Sequence, residues 1–140
     1  MDKKSFLKAG HTPTLLAAFL YFDLAFMVWV MLGPLGVGIA RDLGLSHAEK
    51  GLMVAVPVLA GALLRIVMGV LVDRLSPKKA AIIGQVIVLV ALTYAWLMGV
   101  HSWSEVLVLG GFLGVAGASF AAALPLASRW YPAEHQGTAM

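Results

Sequence analysis

Cysteine is absent, so neither a disulfide nor a thiolate metal site can form. Charge is scarce. Only 12% of the 140 residues are charged and 61% are hydrophobic, whereas soluble domains carry about 25% charged residues. This excludes a soluble globular domain and implies an all-α integral membrane protein. The net charge of +3 is small, and its basic residues fall at chain ends and links, which gives no reason to expect a nucleic-acid partner. His11, His47, His101 and His135 fall at expected helix ends or in links and share no helical face, so no metal site or other cofactor is expected. No nucleophile–base pair lies within the apolar runs either, which makes an enzyme the least favoured class.

The chain is built instead from four long apolar runs, at about residues 14–40, 51–72, 80–100 and 105–128. Each reaches the length of about 20 residues that a helix needs to cross a hydrocarbon core. Segment 1–13 precedes them, and segment 129–140 reads as a polar link followed by the start of a fifth helix that the chain does not complete. The short polar links make neighbouring spans antiparallel. Lys3, Lys4 and Lys8, then Arg74, Lys78 and Lys79, then Arg129 all fall on one side, which the positive-inside rule assigns to the cytoplasm together with the N-terminus. A cleaved signal peptide is the rival reading of the first run, but that run far exceeds an h-region of about 7–15 residues.

Arg65 is the one charge inside run 51–72. A guanidinium stays protonated in a protein, and at the centre of a bilayer it costs about 2.5–3.5 kcal/mol on insertion scales. It therefore calls for an anion, either a side chain or a substrate. Pro57, Gly61, Arg65, Gly69 and Asp73 recur every fourth residue and form one stripe. Glycines one turn either side of Arg65 either admit another helix or leave a cavity. Asp23 in the first run lies at a similar depth and is open to two readings: ion-pair partner of Arg65, or a group for proton coupling.

Two aromatic residues accompany these charges. Phe26 follows Asp23 by three residues, on the face that continues through Val30 and Gly33, and Pro34 loosens the helix beyond it. Phe120 is the one large ring among the small residues 114–123, in a run where Gly110, Gly114 and Ala118 form a packing ridge. Such a ring either plugs the space that the small residues leave or lines a cavity. Between the second and third runs lies Gly69-Val70-Leu71-Val72-Asp73-Arg74-Leu75-Ser76-Pro77-Lys78-Lys79, an acid at a helix end followed by a basic cluster, which suits a clamp onto neighbouring helix termini.

That link resembles the cytoplasmic loop signature of the major facilitator superfamily, with Ser76 where the family prefers glycine and Pro77 where it often has a basic residue. Three further segments look like the nitrate/nitrite porter family within it: Phe22-Asp23-Leu24-Ala25-Phe26-Met27-Val28-Trp29-Val30, Gly61-Ala62-Leu63-Leu64-Arg65-Ile66-Val67-Met68-Gly69, and Gly117-Ala118-Ser119-Phe120-Ala121 continuing to Gly137-Thr138. The resemblance implies that the four transmembrane helices are part of the N-terminal six-helix half of a twelve-helix fold. It further implies that Arg65 binds nitrate or nitrite with a second arginine from elsewhere, that Phe120 and, as a weaker candidate, Phe26 flank the anion, and that Gly69, Asp73, Arg74 and Lys78 form the conformational loop motif. The partners implied are the anion, the lipid bilayer and the missing C-terminal helices; a chain of four helices is expected to be inactive alone. The alternatives are a facilitator for another small anion and a membrane module completed by a partner chain.

Overall fold

The computed structural model describes residues 8–134 and Gly137. Lys3, Lys4, His135 and the expected start of a fifth helix at 138–140 lie outside the described residues. Four spans long and apolar enough to cross a membrane are present: Thr12–Asp42, His47–Leu75, Pro77–Met98 and Trp103–Ser128. The first comprises α1 (Thr12–Val30) and α2 (Leu32–Asp42), and the fourth comprises α5 (Trp103–Gly117) and α6 (Phe120–Ser128). The second and third are the continuous helices α3 (His47–Leu75) and α4 (Pro77–Met98). Four helices of this length and hydropathy make this a multi-pass membrane protein.

The helices run past the apolar runs because their ends are capped. Ser46 accepts the Glu49 amide at 3.3 Å while Glu49 Oε2 accepts the Ser46 amide at 2.7 Å. This reciprocal box starts α3 at His47 and draws Glu49 and Lys50 into its first turn. Ser102 caps α5 by accepting the Glu105 amide at 3.4 Å, while Glu105 Oε2 accepts the amide of His101, one residue earlier, at 2.7 Å. At the opposite membrane face Pro77 opens α4, where its missing amide costs nothing. The polar link between the second and third spans thereby shrinks to Ser76, whose φ of 119° and ψ of 154° belong to backbone that glycine adopts most easily. The glycine preference at this place in the related loop signature has its physical reason there.

Span 4 is the hub. Over its apolar stretch 56% of residues are buried, against 17% in each of the other three spans. Its tightest partner is α3. The ridge of small residues makes that approach possible: a Cβ on Gly114 would lie 2.8 Å from the Gly61 backbone nitrogen, and one on Gly110 would touch Pro57 at 3.4 Å. Ala118 and Ala122 complete the packing with Met68, Val72, Ala80 and Ala81. On the outer faces, Ile66, Trp96 and Leu97 are exposed, as lipid-facing side chains should be.

Both helix breaks have local causes. Pro34 cannot donate to the Val30 carbonyl, and α1 ends at Val30, with Met31 bonding back to Val28 at 3.4 Å. In span 4 the Ala121 amide bonds to the Ala118 carbonyl at 3.1 Å rather than reaching back one residue further. The Gly117 carbonyl is left out of the helical ladder.

Replacing Ser76 with glycine should remove strain of about 1–3 kcal/mol, offset by about 0.4–1 kcal/mol of added unfolded-state freedom. Thermal melting of the detergent-solubilised protein should therefore show Ser76→Gly more stable than the parent. A lower melting temperature would contradict the assignment of strain to this residue.

Candidate functional site

Arg65 lies in α3, about 15 Å along the helix axis from its Leu75 end, well inside the bilayer depth. Its side chain is half-buried and turns toward spans 1 and 4. Nε donates to the Gly117 carbonyl at 3.3 Å, the acceptor freed by the break in span 4. The guanidinium carbon stands 5.3 Å from the Trp29 ring centroid and 5.4 Å from that of Phe120. Among the described residues no carboxylate forms an ion pair with it. Its Nη1 and Nη2 groups have no hydrogen-bond partner among those residues, and neither is buried.

The ion pair that the matched depths of Asp23 and Arg65 allow is thus not formed. The guanidinium is held by a carbonyl of span 4 and two rings, and these draw it away from a carboxylate. Asp23 is half-buried and has no hydrogen bond or ion pair among the described residues.

The rings form one connected group. Phe22, Phe26 and Trp29 follow one another at helical spacing on α1, with centroids 5.9 Å apart for the first pair and 5.7 Å for the second. Phe22 meets Phe120 edge-on at 5.5 Å. Phe120 is 41% exposed, so it lines a surface rather than plugging the small-residue run. Phe26 joins the group between Phe22 and Trp29, but the ring of α1 that meets the guanidinium is Trp29. Sequence reasoning passed over Trp29 and Phe22; the spacing of Phe22, Phe26 and Trp29, four and then three residues, is the signal that groups them.

A groove of about 450 Å³ between α1 and α6 runs from Thr12 past Leu16 and Phe19 to the Phe22–Phe120 pair. It leads from the end of the first span toward the rings around Arg65. A larger groove of about 590 Å³ lies between α4 and α5, lined by Val86, Val90, Tyr94, Val108 and Phe112. No cation lines it, so it offers nothing to an anion. Among the described residues no cluster of His, Asp or Glu could hold a metal ion.

The loop motif sits apart, at one membrane face. Gly69 has open space beside it, and Asp73, Arg74 and Lys78 are exposed. None of the three charged side chains has a hydrogen bond or ion pair among the described residues, so the expected clamp engages no helix described in the structure.

The profile of the Major Facilitator Superfamily matches residues 15–140. "Probable nitrate/nitrite transporter NarK2" of Mycobacterium tuberculosis is 38% identical over 131 residues, which is 91% of this chain and 33% of that protein. "Nitrite extrusion protein" of Bacillus subtilis is 33% identical over 80% of this chain and 28% of that protein. "Probable nitrate/nitrite antiporter NarK1" of Thermus thermophilus is 31% identical over 86% of this chain and 27% of that protein. The chain therefore spans about a third or less of the length of these relatives. No solved structure matches it.

Because Asp23 forms no ion pair with Arg65, Asp23→Asn should leave the fold intact. Membrane insertion should be unchanged, and the stability of the solubilised protein should stay within about 0.5 kcal/mol of the parent. A variant that fails to fold would show that Asp23 has a structural partner after all.

Proposed function

This chain belongs to the major facilitator superfamily, and we propose that it is the N-terminal part of a secondary transporter that carries nitrate or nitrite across the cytoplasmic membrane, by proton symport or by nitrate/nitrite exchange. The observation that carries this reading is the state of Arg65. Among the described residues its partners are a carbonyl and two rings, all neutral, and none of these residues cancels its positive charge at mid-membrane depth. A small anion supplies the missing charge. The planar fork of a guanidinium suits a trigonal oxyanion better than a spherical ion, because two coplanar donors meet two coplanar oxygens. Phe120 and Phe26 stand by the anion as the flanking rings and keep water from it.

The names of the relatives point to the same substrate class, since they speak of nitrate and nitrite transport, antiport or extrusion. Transport is proposed for the full-length protein, whose further helices would supply a second half against which this one rocks. Gly69, Asp73, Arg74 and Lys78 then form a clamp onto neighbouring helix termini of the full-length protein, with the N-terminus in the cytoplasm. Asp23, free of Arg65, is the carboxyl group open to proton coupling. In this reading the lipid bilayer covers the outer faces of the spans, and the protein moves its substrate without chemical change.

Arg65→Lys tests the proposal. An ammonium keeps the charge but loses the bidentate fork, a loss of about 1.5–3 kcal/mol of charge-assisted hydrogen bonding. Nitrate uptake by the full-length protein in proteoliposomes should fall by about tenfold or more with insertion unchanged. Uptake equal to the parent's would exclude Arg65 as the anion-binding group.

A further inference from the structure

Trp29 is held more firmly than a lipid-facing ring needs to be. Its indole N–H donates to the Pro57 carbonyl of α3 at 2.8 Å. Its ring lies in a slot between two helices, each of which contributes a glycine where it meets the ring. A Cβ on Gly61 of α3 would come within 2.9 Å of Trp29 Nε1, and a Cβ on Gly117 of α5 would collide with the five-membered part of the indole, at Nε1 and the fusion atoms Cε2 and Cδ2. Gly117 thus acts twice: its missing side chain admits Trp29, and its carbonyl holds Arg65 Nε at 3.3 Å. The guanidinium has the indole at 5.3 Å and the Gly117 carbonyl on its Nε edge.

A guanidinium can grip an oxyanion side-on, through Nε and one Nη, or end-on, through both Nη groups. The first mode is closed here, because Nε already donates to Gly117. We infer that Trp29, wedged between Gly61 and Gly117, is a positioning residue that locks the Arg65 guanidinium so that only its Nη1–Nη2 edge meets the anion. This rests on the reading of Arg65 as the anion-binding group. Trp29 itself touches Arg65, not the substrate; its effect is to make one approach direction available and to spare the arginine the loss of side-chain freedom on binding. The indole hydrogen bond sets the ring plane, and the ring sets the guanidinium.

The test uses the full-length protein in proteoliposomes, with nitrate uptake measured over a range of nitrate concentrations. Trp29→Phe keeps a ring but loses the bond to Pro57, and Trp29→Leu loses both. The apparent KM for nitrate should rise about fivefold for Trp29→Phe, which keeps a ring but loses its anchor, and about 30-fold for Trp29→Leu, a shift in line with the loss of one desolvated cation–ring contact. The maximal rate per inserted molecule should stay within about twofold, because what changes is ground-state binding. A merely structural tryptophan would lower the amount of inserted protein and leave KM alone. Gly117→Ala should raise KM in the parent by displacing the indole, and should raise it much less in the Trp29→Leu background, where the slot is no longer filled. Trp96→Phe, on the exposed outer face, should leave KM unchanged and so controls for the loss of a tryptophan as such. A parental KM in Trp29→Phe, or effects of Gly117→Ala that simply multiply with those of Trp29→Leu, would overturn the inference. Arg65→Lys, assayed alongside, separates the two claims. If it abolishes uptake while the Trp29 variants keep the parental KM, positioning alone fails; if it transports normally, the anion reading fails and positioning with it.

Discussion

A permanent positive charge at mid-membrane depth, satisfied among the described residues by neutral groups alone, is the constraint from which the rest follows. One hydrogen bond from Arg65 to a carbonyl and two ring contacts, at about 1–2 kcal/mol each, are of the same size as the roughly 2.5–3.5 kcal/mol cost of placing the charge there. They make the arginine tolerable without cancelling it. A carboxylate in their place would have stabilised the protein more locally and closed the site to anions.

The backbone features that look like defects serve this arrangement. The interruption between α5 and α6 takes one carbonyl, that of Gly117, out of the helical ladder and gives it to Arg65. Irregular backbone at membrane depth is tolerated where it is buried in protein or lines a cavity, and here a side chain supplies the missing donor. The small residues of span 4 have two separate uses. Gly110 and Gly114 let α5 press against α3, while Gly117 clears space for the indole. Of the two glycines that flank Arg65 on its own helix, Gly61 meets Trp29 closely and Gly69 faces open space. One sets the site and the other leaves room at the loop face.

Much of the fold was legible in the sequence. Apolar runs mark the four spans, since length and hydropathy are properties of a single segment. The helix ends were less legible, because Ser46 with Glu49, Ser102 with Glu105, and Pro77 carry charged or polar first turns into the helices that a search for apolar runs assigns to links. In the site, Arg65 and Phe120 stand out against their own neighbours, one as a charge among apolar residues and the other as a ring among small ones. Trp29 does not, because it sits in a run already rich in aromatics and its slot is made by glycines 32 and 88 residues further along the chain. The Gly117 carbonyl is invisible to any reading of side chains. The likeness in depth of Asp23 and Arg65 was legible too, but depth alone does not say which way two side chains turn.

The arrangement around Arg65 can be observed directly by nitrogen-15 magnetic resonance on the arginine-labelled, full-length protein in lipid, with the Arg65 signals assigned by their loss in an Arg65 variant. Added nitrate should move the Arg65 Nη resonances while Nε, already bonded to the Gly117 carbonyl, stays in place. Nη resonances that ignore nitrate at any concentration would contradict the account of an uncancelled charge awaiting an anion.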